Sequence, residues 1–158
     1  MKTTRTVALD EFDFKILDLV QKDNSLPLRA ISEAVNLSSA AVQRRLQVLR
    51  QSGVIRGEVA LLDPNLVGKV ITLIVEVHLE KTGTKAMAEI RKKFAIPEVQ
   101  QCYYVTGSAD FVLILHVSSM EEFKGISDRL FYSNKNVKWF QTLVVLETIK
   151  AGTQVPLP

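Results

Sequence analysis

The side chains most suggestive of chemistry follow a serine. Ser38 is a good N-cap for a helix. Beyond it Ser39, Ala40, Gln43, Arg44 and Gln47 fall on one side of that helix, while Val42, Leu46 and Leu49 fall on the other. A glutamine amide can pair with an adenine edge, and an arginine guanidinium with a guanine edge or a phosphate. Ser39 and Ala40 are small enough to let the helix sit deep in a groove. Arg45 falls at the flank, and Arg50 and Arg56 fall where they would meet phosphates and position rather than specify. From Ala34 to Gly57 there is no Asp or Glu, and the only charges are Arg44, Arg45, Arg50 and Arg56. A merely solvated face of a three-helix bundle would mix signs. The pattern therefore points to double-stranded DNA.

A second group is Gly107-Ser108-Ala109-Asp110. Asp110 offers an anion to an ammonium group, and backbone amides near Gly107 can receive a carboxylate. An amino-acid ligand carries that pair of charges. The plainer reading is a hairpin turn in which Gly and Asp serve the backbone. Tyr103 and Tyr104, just upstream, could stack on a ligand, although at least one must pack in the sheet.

Nothing else suggests catalysis, a metal or a cofactor. His78 and His116 are single histidines without ligand spacing, and read as packed or interface side chains. Cys102 is the one cysteine, so an intrachain disulfide is impossible and a zinc site lacks ligands. It reads as a small buried hydrophobe. No glycine run has phosphate-loop spacing.

These residues need a frame, and the periodicity supplies one. Asp10 and Asp13 suit a capping box, with Leu9 stapled to Phe14. Phe12, Ile16, Leu19 and Val20 then give the first helix a buried face. Pro27 suits the first turn of a second helix, striped by Leu28, Ile31 and Val35. Asn36 tolerates the left-handed backbone of a tight turn, and Gly53 ends the third helix. Val54 to Leu62 reads as a short hairpin or extended wing, and Asp63-Pro64-Asn65 as a hinge. Past the hinge the period changes. Val70–Glu80, Val99–Thr106, Phe111–Val117 and Val137–Ile149 read as strands. Thr84–Phe94 reads as a helix, as does a segment opened by a capping box at Ser119 and Glu122. The expected class is α+β: a winged helix-turn-helix domain over 1–62 and a ferredoxin-like βαββαβ domain over 63–158. Its uncovered sheet face would carry Ile74, Val112, Ile114, Val144 and Leu146. Such an apolar face implies a partner, most economically a second copy about a two-fold axis.

The 158 residues allow two small domains, and the net charge of +3 is compatible with a polyanionic partner. Val70–Leu79 is too short and polar to span a bilayer. Met1–Val7 has no apolar signal core behind it, so a cytoplasmic location is expected. Arg91-Lys92-Lys93 reads as a solvated helix face, or as a secondary DNA contact if DNA wraps an assembly.

The run Leu9-Asp10, Asp13, Ile16-Leu17, Ile31, Val35-Asn36-Leu37-Ser38, Val42, Arg45-Leu46, Leu49, Gly53-Val54-Ile55 and Gly57 resembles the helix-turn-helix of the leucine-responsive regulatory protein/AsnC family. Val99, Cys102, Val105-Thr106-Gly107, Asp110, Thr142, Val144-Val145 and Pro156-Leu157 resemble that family's ligand-binding domain, often called RAM. The resemblance covers essentially the whole chain. It implies nucleoid-associated transcription regulators whose dimers assemble further, commonly to octamers, and bind amino-acid effectors between dimers. By motif, Val105, Thr106, Gly107 and Asp110 would line that site, with Tyr104 beside them as a residue that could stack on the ligand. Leu143, Val144 and Val145 lie in the stretch where the response is set. The sequence departs from the family at Ser25, Pro27 and Asn36, where Arg, Ser and Gly are usual. Two other readings stand beside ligand-dependent regulation: an architectural DNA-binding protein without an effector, and a small enzyme on the ferredoxin-like domain.

Overall fold

The computed structural model describes residues 8–80 and 83–158. It comprises two compact units. One runs up to Ala60 and also takes in Lys150–Pro158, and the other spans Leu61–Ile149.

The first unit has helices α1 (Glu11–Lys22), α2 (Leu28–Val35) and α3 (Ser39–Gln51). Asp10 caps α1 reciprocally. Its carboxylate accepts from the Asp13 N–H at 2.9 Å, and the Asp13 carboxylate accepts from the Asp10 N–H at 3.1 Å. Pro27 sits one position earlier than expected, at the cap itself. Asn36 takes the left-handed conformation, φ 55° and ψ 47°, and so turns α2 into α3 within a few residues. Ile16, Ile31, Val35, Val42, Leu46 and Leu49 form the core, with Leu37 packed into it from the turn. Phe12 lies outside that core; its ring lies beneath the Arg45 guanidinium at 5.5 Å. Gly53 at φ 78° ends α3 as expected. No hairpin follows it. Residues 56–62 are exposed and unpaired, since their loose alternation finds no second strand.

The second unit is β1 (Ile71–Leu79), α4 (Thr84–Phe94), β2 (Val99–Tyr104), β3 (Phe111–Val117), α5 (Met120–Ser127) and β4 (Val137–Val144). The sheet order is β2-β3-β1-β4, antiparallel throughout, which is the ferredoxin-like arrangement. Alternate residues of the central strands are buried: Leu73, Val75 and Val77 of β1, and Phe111, Leu113, Leu115 and Val117 of β3. They pack with Ile90, Phe94, Phe123, Ile126, Leu130 and Phe131 from the helical side. Ser119 caps α5, but Glu122 does not close the box on it. The Glu122 carboxylate instead accepts from the Ser118 N–H at 2.7 Å and from Lys69 at 2.6 Å. The bonds from Lys69 and Ser118 hold its carboxyl down at about 2. After α5 the chain widens into one turn, Asp128–Tyr132, closed by Ser133 N–H to the Asp128 carbonyl at 3.0 Å.

The uncovered face differs from expectation. β4 bulges after Val137, because Leu79 pairs with Val137 while His78 pairs with Trp139. A bulge inverts the alternation beyond it. Val144 therefore pairs with Leu73 and shares the helix-covered side, while Leu143 pairs with Ile74 on the open side. Leu146 lies past the strand, 98% exposed. The open face is thus Ile74, Val112, Ile114, Trp139 and Leu143, mixed with polar Thr72, Glu76, Gln101 and Gln141. Cys102 also departs from expectation, since it is exposed on the edge strand β2. Partial desolvation pushes its thiol up.

Candidate nucleic-acid interface and ligand site

α3 is positioned from its first residue. The Ser38 hydroxyl accepts from the Ala41 N–H at 3.2 Å, and Ser39 and Ser32 share a hydroxyl contact of 3.1 Å that joins α3 to α2. The core side of α3 is closed, with Val42, Leu46 and Leu49 no more than 4% exposed. Ser38, Ser39, Ala40, Gln43, Arg44 and Gln47 are then all exposed together, as the spacing predicts.

The arginines divide by task. Arg44 makes no ion pair among the described residues, and neither does exposed Arg56. Arg50 bonds Glu58 at 2.7 Å and thereby lowers the Glu58 carboxyl. Arg45 points back into its own unit. Its Nη1 bonds Asp10 and Asp13, each at 2.8 Å, and its side chain is 25% exposed. The Asp10 carboxyl is held below the ordinary carboxylate value, first by the Asp13 N–H and then by Arg45. The flanking phosphate contact expected of Arg45 thus competes with an intramolecular clamp from α3 to the start of α1. Val48 and Gln51 are also exposed on α3 and did not figure in the sequence reading. With Arg44 and Gln47 they make a stripe at intervals of three and four, a signal that residue spacing alone carries.

In the second unit Gly107 turns at φ 118°. The Val105 N–H bonds the Asp110 carbonyl at 3.0 Å, which closes the loop between β2 and β3. Asp110 ties that loop to the end of β1. Its N–H bonds the Val77 carbonyl at 3.0 Å, and its Oδ2 accepts from the Leu79 N–H at 2.8 Å. The backbone role foreseen for Asp110 is real, and it occupies one carboxylate oxygen. Thr106 and Gly107 are exposed, as is Tyr104, whose ring lies 5.2 Å from that of Phe111. Leu143, Val144 and Val145 are elsewhere. They run beside the start of β1, and the Val145 N–H bonds the Thr72 carbonyl at 2.9 Å. From Ile74, opposite Leu143, to Val77, whose carbonyl accepts from the Asp110 N–H, a strand rises about 10 Å at roughly 3.3 Å per residue, and from Thr72 to Leu79 about 23 Å. Within one chain the Gly107 turn and the Leu143–Val145 stretch are therefore set apart along β1.

Comparison with known proteins agrees with both units. Residues 72–155 match the Lrp/AsnC ligand binding domain, and residues 9–56 match a winged helix-turn-helix DNA-binding domain. An HTH-type transcriptional regulator of Sinorhizobium fredii is 40% identical over 150 residues, 94% of this chain and 89% of that protein. The leucine-responsive regulatory protein of Haemophilus influenzae is 31% identical over 95% of this chain and 91% of its own length. A transcriptional regulator of Neisseria meningitidis, solved in complex with L-methionine, superposes with a TM-score of 0.88. It is 31% identical, over 94% of this chain and 97% of that one. The chain belongs to the Lrp/AsnC family: it is a helix-turn-helix transcriptional regulator with a ligand-binding domain, and not an enzyme.

Proposed function

We propose that this regulator reads a two-fold DNA site with α3 from paired copies, and that an amino acid shifts the balance among its assemblies. The observation that carries the DNA reading is the division of the α3 arginines. Arg45 and Arg50 are held by carboxylates, whereas Arg44, between exposed Gln43 and Gln47, makes no ion pair among the described residues. Ser39 and Ala40 leave room at the helix start, Arg56 serves a phosphate at the edge, and Arg50 does so where a phosphate displaces Glu58. Pairing is supported by the open sheet face, where Trp139 and Leu143 remain 47% and 42% exposed beside Ile74, Val112 and Ile114. A second copy, the economical cover for such a face, also supplies the second reading helix. Assembly to octamers and a cytoplasmic, nucleoid-associated location belong to the same reading.

For the effector, the reading places an ammonium on the second oxygen of Asp110 and a carboxylate on the exposed backbone around Gly107. Tyr104, Val105 and Thr106 flank it. The wide separation from Leu143, Val144 and Val145 supports a site completed by another copy. The Neisseria relative, solved with L-methionine, supports an amino acid as the ligand class. A ligand that binds one arrangement better shifts the population toward it.

Asp110→Asn tests this, because asparagine keeps an acceptor for the Leu79 N–H and loses only the charge. In calorimetric titrations with the twenty amino acids, at least one should bind the parent protein. Asp110→Asn should weaken it about tenfold or more, the ~1.5–3 kcal/mol of a hydrogen bond to a charged group, with little change in melting temperature. Equal binding to both proteins would remove Asp110 from the site. If no amino acid binds the parent, the architectural, effector-independent reading takes precedence.

A further inference from the structure

Among the described residues, α3 carries one large apolar side chain that the fold leaves uncovered. Val48 is 52% exposed, whereas Val42, Leu46 and Leu49 are almost fully buried. A β-branched residue on an exposed helix position is locally unfavourable, since it loses rotamer freedom there and alanine would serve the helix better. Scattered exposed valines are common on protein surfaces, but this one has a particular address. It stands in the stripe Arg44, Gln47, Val48 and Gln51, every member of which is exposed. Its stripe neighbours are long hydrogen-bonding side chains, one turn before and one turn after.

The major groove mixes many hydrogen-bonding groups with one prominent apolar one, the C5 methyl of thymine. A branched aliphatic side chain amid guanidinium and amide groups complements that chemistry. We infer that Val48 packs against a thymine methyl and makes thymine part of the preferred sequence. At 1.5 Å per residue Val48 lies about 6 Å along the helix from Arg44, close to two base-pair steps of about 3.4 Å. The thymine therefore lies within a step or two of the base pair that Arg44 reaches. This rests on α3 being the DNA-reading helix.

The test uses the full chain and a duplex selected by it from a random library. Each thymine in turn is replaced by deoxyuridine, which removes the methyl and nothing else. Binding is measured for the parent, for Val48→Ala and for Val48→Thr, which keeps the branched shape. One thymine per half-site should stand out. Losing its methyl should weaken the parent about fourfold, the effect of one methyl group withdrawn from apolar contact. Val48→Ala should bind the two duplexes alike, and Val48→Thr should fall between. A parent indifferent to the methyl at every thymine overturns the inference, as does a Val48→Ala variant that keeps the full dependence. If selection yields a preferred duplex that Arg44→Ala binds poorly, a flat uridine scan sinks the Val48 contact alone. If no duplex is preferred, the reading of α3 falls with it.

Discussion

Replacing Arg44 with alanine should weaken binding to a selected duplex by roughly 5- to 150-fold, the ~1–3 kcal/mol of one good bidentate base contact. The preference for one base in each half-site should relax at the same time. The expectation follows from what Arg44 does not do in the folded chain. It is exposed and makes no ion pair among the described residues, so its guanidinium is available to a ligand. For the same reason its removal should leave stability within about 0.5 kcal/mol of the parent. The checks are a binding titration at fixed salt and a melting curve. If Arg44 touches only phosphate, the loss will instead be uniform across sequences and the salt dependence will fall by about one counterion. An unchanged affinity would contradict its place on the reading face.

Arg45→Ala should do the reverse. One residue along the same helix, Arg45 bonds two carboxylates that cap α1, and Asp13 among them is only 13% exposed at its side chain. Removal leaves those carboxylates facing each other and uncovers the Phe12 ring. The Asp13 bond alone is worth about 1.5–3 kcal/mol as a hydrogen bond between charged groups. In a unit of this size that lowers the melting temperature by about 10 °C, at roughly 4–8 °C per kcal/mol. Arg45→Lys should recover only part of it, because an ammonium is not the flat guanidinium that lies over the Phe12 ring. The clamp also has a pH signature. The Asp10 carboxyl is depressed below 3.8, by the Asp13 N–H and then by Arg45. Its contribution is complete above the unfolded value and lost as pH falls through the lower, folded one. Urea unfolding between pH 2 and pH 7 should show this acid loss in the parent and less of it in Arg45→Ala. A variant as stable as the parent would return Arg45 to the DNA-contact list.

The contrast between Arg44 and Arg45 shows what the sequence could and could not disclose. Local signals were legible, because a cap or a turn is decided within a few residues. The Asp10/Asp13 box, left-handed Asn36, capping Ser38 and the positive φ of Gly53 all follow from residue type and position. The ferredoxin-like order was legible from the change of hydrophobic period. Long-range pairings were not. The partners of Arg45 lie 32 and 35 residues upstream, and nothing in the spacing names them. The bulge beside Val137 reverses the faces of β4, so simple alternation put Val144 on the wrong side. The exposure of Cys102 depends on β2 being an edge strand. Likewise, only the pairing registers reveal that the Gly107 turn and Leu143–Val145 sit toward opposite ends of β1. Val48 and Gln51 were within reach of the spacing alone, but a valine beside arginines is easily taken as filler.

Protection of guanine N7 from dimethyl sulfate, with the full chain bound to its selected duplex, probes the major groove directly. Two protected stretches should appear with centres about 10 base pairs, one helical turn, apart, and one guanine in each should regain reactivity when Arg44→Ala replaces the parent. A saturated complex in which every guanine N7 stays reactive would mean that α3 does not enter the major groove.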